Sequence, residues 1–269
     1  MKISLLHATH FRPGGPAGLR DEWFKLARKP ERIEYLVAVS RSDSLAVSQT
    51  QSDLRKLVDP PENGSTAVRN WNLLAKFATG DLLFVIADDL TPVAEGWDDS
   101  LESIALKHNP CAEDYVIKIR DSASATNTKL RHPVVSRKYF ERRGLWNNKF
   151  RGVYVDSDFT LRAFWHSAIV DGNHIRFNHK HPTQNGKISE SISFLLANSK
   201  DEYDFGLRQL DKTWPKFAQH TRVSLIPPRV ESIKLASLQV RLRELLRMVR
   251  QSRLAPSRMR NRKTSLNEE

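Results

Sequence analysis

The stretch Asp81-Leu82-Leu83-Phe84-Val85-Ile86-Ala87-Asp88-Asp89-Leu90 decides the reading of this chain. Leu82 to Ala87 is a nearly continuous apolar run, as a strand covered on both faces requires. Two adjacent carboxylates follow it directly. In open α/β sheets, ligands bind outside the carboxyl ends of the strands. Carboxylate oxygens suit hard divalent cations, which are commonly shared with substrate phosphates. Taken alone, the pair serves equally well as a loop cap, because two acids at a strand end are common.

Working outward, Lys2 to His7 reads as a first strand, followed by a loop with Pro13, Gly14, Gly15 and Pro16 and a helix to about Ala27. Arg32 to Val39 reads as a second strand, rich in β-branched and apolar residues. Pro60, Pro61, Asn63 and Gly64 mark a loop. Ser65 is a candidate cap for a helix running to about Thr79, with Gly80 ending it. Strand, helix, strand, helix, strand within the first ninety or so residues predicts a parallel α/β sheet. Beyond Asp89 the pattern is mixed. Trp97 to Lys107 and Asp158 to His166 read as helices; Tyr115 to Arg120, Pro133 to Val135 and Ile175 to Phe177 read as short strands. No internal repeat is visible.

The composition fits a soluble globular chain: 39% hydrophobic and 28% charged over 269 residues. A single cysteine, Cys111, excludes an intramolecular disulfide and favours a reducing compartment. Ile3 to Leu6 is too short for the apolar core of a signal peptide, and Leu82 to Ala87 is too short to span a bilayer. The expectation is a cytoplasmic protein. Net charge is +12, and residues 234–269 supply much of it, with ten Lys/Arg against three Glu. Glu231 to Arg253 reads as a basic amphipathic helix, with Leu235, Leu238, Leu242, Leu245, Leu246 and Val249 on its apolar stripe. Pro256 ends it, and a disordered tail is expected after that. The stripe suits packing against the body, the arginines suit the phosphates of DNA, and the combination suits an anionic membrane surface.

Two further sites carry chemistry. Asp156-Ser157-Asp158 lies near a helix start, where acids favour the dipole and where a carboxylate can also act as a base. His179-Lys180-His181-Pro182 follows a short strand; His-x-His is often plain surface histidine, yet imidazole can complete a carboxylate metal site. Trp71, Trp97, Trp146 and Trp165 could stack on sugar or base, although burial is the commoner fate of tryptophan.

In order and spacing, these pieces resemble the inverting family 2 glycosyltransferases of the GT-A fold, over roughly residues 2–182. The pieces are Ala8-Thr9 at the end of the first strand; Asn63-Gly64 and Arg69-Asn70; Ala78-Thr79-Gly80-Asp81; Asp88-Asp89; Pro92 and Gly96-Trp97. His132-Pro133 before an Arg137-to-Gly144 helix, Asp156 to Ala163 and His179 to Pro182 complete them. The resemblance implies a Rossmann-like nucleotide-binding mixed sheet flanked by helices, with a helical C-terminal extension. It divides the chain into a catalytic domain at 1–186, a helical or irregular extension at 187–230, and the basic helix and tail at 231–269.

The resemblance also implies roles. Asp88 and Asp89 would be the ribose and metal carboxylates, with Asp89 the direct ligand of Mn²⁺ or Mg²⁺. His181, or alternatively His179, would reach the metal. Asp156 would be the catalytic base and Asp158 a neighbouring acid of the acceptor site. Thr9, Arg12, Asp43 and Arg69 would contact the nucleotide-sugar donor, a UDP-sugar first. Two positions depart from the family pattern. Ala87 stands first in the usual Asp-x-Asp, and Ser40-Arg41 replaces the acidic pair that commonly ends the second strand. The acceptor classes left open are a hydroxymethylated base in DNA, which would have to leave the duplex stack, and an envelope or lipid-linked glycan at a membrane. Outside glycosyl transfer, a nucleotidyltransferase would need a better phosphate-cradling loop than Gly14-Gly15. A non-enzymatic nucleic-acid-binding module would leave the carboxylates beside Leu82 to Ala87 unexplained.

Overall fold

A computed structural model describes residues 1–11, 15–50, 55–58 (backbone only), 66–121, 129–180 and 197–214. Arg12, His181 and the basic helix at 231–253 lie outside the described residues.

Eight strands form one mixed sheet. They are β1 (Ile3–Thr9), β2 (Ile33–Val39), β3 (Arg55–Val58), β4 (Leu82–Ile86), β5 (Leu90–Pro92), β6 (Val116–Arg120), β7 (Val134–Ser136) and β8 (Ile169–His179). Their order across the sheet is β3-β2-β1-β4-β7-β6-β8-β5. The first half is parallel, as expected: β1 pairs with β2 and β4, and β2 with β3. From β4 onward the sheet becomes mixed. β7 runs antiparallel to β4 and β6, β8 runs parallel to β6, and β5 returns antiparallel to β8.

The helices are α1 (Gly15–Lys25), α2 (Ser44–Gln49), α3 (Ala67–Phe77), α4 (Trp97–His108), α5 (Arg137–Arg143), α6 (Val155–Trp165) and α7 (Lys200–Thr213). Side-chain alternation explains why β4 reads as an unbroken apolar run. Leu82, Phe84 and Ile86 join one core with Leu5, Trp23, Trp97 and Phe177. Leu83 and Val85 join the other, with Leu6, Tyr139, Trp146 and Phe159. The first core is sealed by aromatic contacts: Trp23 stacks on Phe177 at 5.3 Å and meets Trp97 edge-on at 5.0 Å. Both indole N–H groups are satisfied, Trp23 donating to the Leu90 carbonyl and Trp97 to the Trp23 carbonyl.

Several boundaries differ from the sequence reading, each for a local reason. The cap of α3 is Thr66, whose hydroxyl accepts from the Arg69 N–H at 3.2 Å. Helix α6 begins at Val155, after Tyr154 in the left-handed region, so Asp156 and Asp158 both occupy its first turn. Strand β8 spans eleven residues instead of three. Asp171, Asn173 and His174 interrupt its apolar pattern, and Gly172 lets it lie close to β6, where a Cβ would meet Ile117 at 2.5 Å.

Candidate active site

Asp88 and Asp89 leave the carboxyl end of β4, but each is held by a different half of the sheet. Asp88 is tied to β1. Its Oδ1 accepts from the Thr9 hydroxyl at 2.8 Å and lies 2.9 Å from His7 Nε2. His7 is fully buried, and its Nδ1 lies 2.6 Å from the Tyr35 hydroxyl of β2. A buried chain Tyr35–His7–Asp88 thus fixes a carboxylate that is one-third exposed. With the tyrosine donating to Nδ1, the Nε2–H donates to the carboxylate, which a neutral ring satisfies at both nitrogens.

Asp89 faces the mixed half. Its Oδ2 lies 3.2 Å from His179 Nε2 at the end of β8, and its carbonyl accepts from the Lys180 N–H at 2.8 Å. His132, just before β7, sets its ring perpendicular to that of His179 with centroids 4.8 Å apart. Among the described residues, Asp89, His132 and His179 each offer one ligand atom, all within 4.8 Å of one another. His132 is buried, and among the described residues neither of its ring nitrogens has a close hydrogen-bond partner, a backbone contact with Val85 aside. Burial, with a smaller contribution from neighbouring His179, pushes its pKa down to about 3. It is therefore neutral at physiological pH, the form a cation needs. A carboxylate with two imidazoles fits a divalent transition ion. Asp121, buried at the end of β6, is pushed up by burial against the pull of Arg131 and His179.

The segment before β7 links this cluster to α6. The Leu130 N–H donates to the Thr160 hydroxyl at 2.9 Å, and Lys129 Nζ lies 3.9 Å from Asp156. Asp156 stays partly exposed, and its Oδ1 accepts from the Ser157 N–H at 2.8 Å. Asp158 is different. It is 1% exposed, accepts from the Trp214 indole at 2.9 Å, and has Arg162 Nε 3.7 Å from its other oxygen. The Trp214 contact fastens the segment after α7 to α6.

The remaining residues expected at the donor site separate. Thr9 is buried against Asp88. Asp43 is buried too: one oxygen caps α2 through the Ala46 N–H at 3.1 Å, and the other accepts from the Phe11 N–H at 2.7 Å. It thereby sets the loop after β1. Arg69 is exposed on α3. Of the tryptophans, Trp97 and Trp146 are core, while Trp71 donates to the Ile86 carbonyl, two residues before Asp88. Sequence reasoning missed two residues of this site. His7 did carry a signal, a lone histidine in an otherwise apolar strand. His132 stood among the pieces of the family resemblance but without a role, because only the fold brings it to His179.

Solved structures share this architecture. S. aureus TarS 1–349 in complex with UDP-GlcNAc superposes over 79% of this chain with a TM-score of 0.57 and 13% identity. Glucosyl-3-phosphoglycerate synthase from Mycobacterium tuberculosis, in complex with Mn²⁺, UDP and glucosyl-3-phosphoglycerate, superposes over 77% of it with a TM-score of 0.50 and 14% identity. The chain has a GT-A fold. It spans 66% of TarS 1–349 and 42% of a longer TarS chain, to which it is 12% identical with a TM-score of 0.51. No protein-family model and no curated protein matches the chain. Among its described residues, no helix is long and apolar enough to cross a membrane.

Proposed function

We propose that this protein is a metal-dependent glycosyltransferase that takes a sugar from a nucleotide-sugar donor, a UDP-sugar first, and passes it to a hydroxyl acceptor with inversion. One observation carries the reading. At the carboxyl end of β4, a carboxylate fixed by β1 stands beside a carboxylate facing a histidine of β8. The solved structures of like fold hold UDP-GlcNAc in one case and Mn²⁺ with UDP in another, which supports a shared nucleotide–metal site.

Asp89 and His179 would hold Mn²⁺ or Mg²⁺, which when bound neutralises charge on the leaving diphosphate. Asp88, braced by His7 and Thr9, would hold the ribose. Asp156 is the base that takes the proton of the acceptor hydroxyl, and its partial exposure suits contact with an incoming acceptor. Asp158 serves beside it by seating the first turn of α6 through Trp214 and Arg162. Lys129 neighbours Asp156 at 3.9 Å, and a long, partly exposed pair of this kind is worth little.

The acceptor reading rests on sequence. The basic segment at 234–269 supports a phosphate-bearing acceptor, a hydroxymethylated base in DNA, ahead of a glycan at an anionic membrane. The test is a screen of nucleotide sugars for Mn²⁺-dependent hydrolysis and transfer, with Asp156→Asn run in parallel. The wild type should turn over one donor class only with metal present. Asp156→Asn should lose about 10²-fold or more in transfer while keeping donor binding. Equal loss of donor affinity and turnover would remove Asp156 from the base role. Absence of turnover with every donor would remove the enzyme reading.

A further inference from the structure

We infer that His132 is a third protein ligand of the cation, giving a centre of one carboxylate and two imidazoles that selects a transition ion such as Mn²⁺, Co²⁺ or Zn²⁺ over Mg²⁺. The inference rests on the proposal that a cation binds at Asp89, and adds to it a residue and a choice of metal. Its starting point is a cost. A buried ring whose nitrogens find no close partner among the described residues, beyond a backbone contact with Val85, sacrifices hydrogen bonds that water would supply, and such groups call for an explanation. A cation between His132 and His179 supplies the missing partner.

The geometry allows it. The three ligand atoms span no more than 4.8 Å. An ion with bonds of about 2.0–2.2 Å to nitrogen and oxygen bridges atoms up to roughly 4.4 Å apart, so closure by a few tenths of an ångström completes the set. The backbone presents the ring firmly. On one side, Leu130 is bound to Thr160; on the other, the Pro133 carbonyl accepts from the Val85 N–H at 3.1 Å, and Val134 pairs with Phe84 in the sheet. The donor set then decides the metal. Mg²⁺ demands oxygen ligands and gives up its waters reluctantly, whereas imidazole suits the first-row transition ions.

The test is Mn²⁺ alone titrated into the full chain and followed by electron paramagnetic resonance, with pulsed nitrogen modulation counting the bound imidazoles. The wild type should show two imidazoles. His132→Phe should show one and bind Mn²⁺ at least about tenfold more weakly, the loss that even an outer-shell change at a metal site produces. Excess Mg²⁺ should displace Mn²⁺ more readily from the variant. Without metal, His132→Phe should melt no lower than the wild type, because an apolar ring replaces an unpartnered polar one. Added Mn²⁺ should raise the melting temperature of the wild type more than that of the variant. If the phenyl ring is not accommodated, His132→Gln gives the same metal readings. One imidazole in the wild type, with Mn²⁺ affinity indifferent to His132 but lost in Asp89→Ala, overturns the role of His132 and leaves the cation site standing. No Mn²⁺ bound by the wild type overturns both.

Discussion

Asp88 and Asp89 are neighbours in the chain, yet they belong to different halves of the molecule. The parallel half holds Asp88 through a buried hydroxyl–imidazole–carboxylate chain that starts at Tyr35 on β2 and passes through His7 on β1. The mixed half offers Asp89 histidines from two separate places, the end of β8 and the segment entering β7. Both nitrogens of His7 are occupied, while those of His132 have no close partner among the described residues beyond a backbone contact with Val85. The difference separates two tasks. One side is a finished support that orients a carboxylate, and the other is a set of ligands that a cation would complete. Under the proposed function, the seam between the halves is where a nucleotide and a metal would meet.

The support can be broken without touching the ligands. His7→Phe with Tyr35→Phe removes the chain and leaves no buried hydroxyl stranded. Asp88 then loses the imidazole restraint and keeps the Thr9 hydroxyl. We expect the donor KM to rise by about tenfold, as for loss of a supporting partner, with kcat changed far less. Steady-state kinetics against the donor checks this split. An equal fall in kcat at unchanged KM would place His7 in the chemical step instead.

A smaller effect sharpens the contrast from the residue beside Tyr35 on the same strand. Glu34 on β2 is buried, and that burial opposes its charge. Hydrogen bonds from the Ser4 hydroxyl at 2.5 Å and from Thr79 at 2.8 and 3.0 Å, with Lys2 at 3.5 Å, outweigh burial, so its pKa lies below the ordinary value. A carboxyl with a lowered folded-state pKa contributes stability above its unfolded value and loses it as pH falls through the folded one. Glu34→Gln should therefore lower the melting temperature at pH 7 by about 3 °C, on the order of 1 kcal/mol, and by less at pH 3. A pH series of thermal melts on both proteins reads the effect. An equal loss at both pH values would mean that packing, not charge, ties Glu34 in place.

The same contrast governs what the sequence could reveal. In the parallel half, β1, β2 and β4 are buried on both faces, so their apolar runs stand out and Asp88-Asp89 falls visibly at a strand end. In the mixed half, β8 carries exposed Asp171 and His174 and half-buried Asn173, which hides eleven residues of strand behind three. Strand β3 is four residues long with Arg55 and Lys56 at its start, the composition of a blunted edge. Asp156 was legible as an acid at a helix start, but the burial of Asp158 against Trp214 was not, because that contact joins residues 56 apart in the chain. His132 and His179 likewise meet only through β7 and β8. Spacing along the chain carries no trace of that meeting.

The central claim is that this seam binds a nucleotide through a metal at Asp89. Calorimetric titration of nucleoside diphosphates, UDP first, into wild type and Asp89→Ala with and without Mn²⁺ tests it most directly. The account predicts binding by the wild type that Mn²⁺ strengthens at least about tenfold, and binding by Asp89→Ala that is weak and indifferent to the metal, in a variant with an unchanged circular dichroism spectrum. Nucleotide binding of equal strength in both proteins, with or without Mn²⁺, would contradict it.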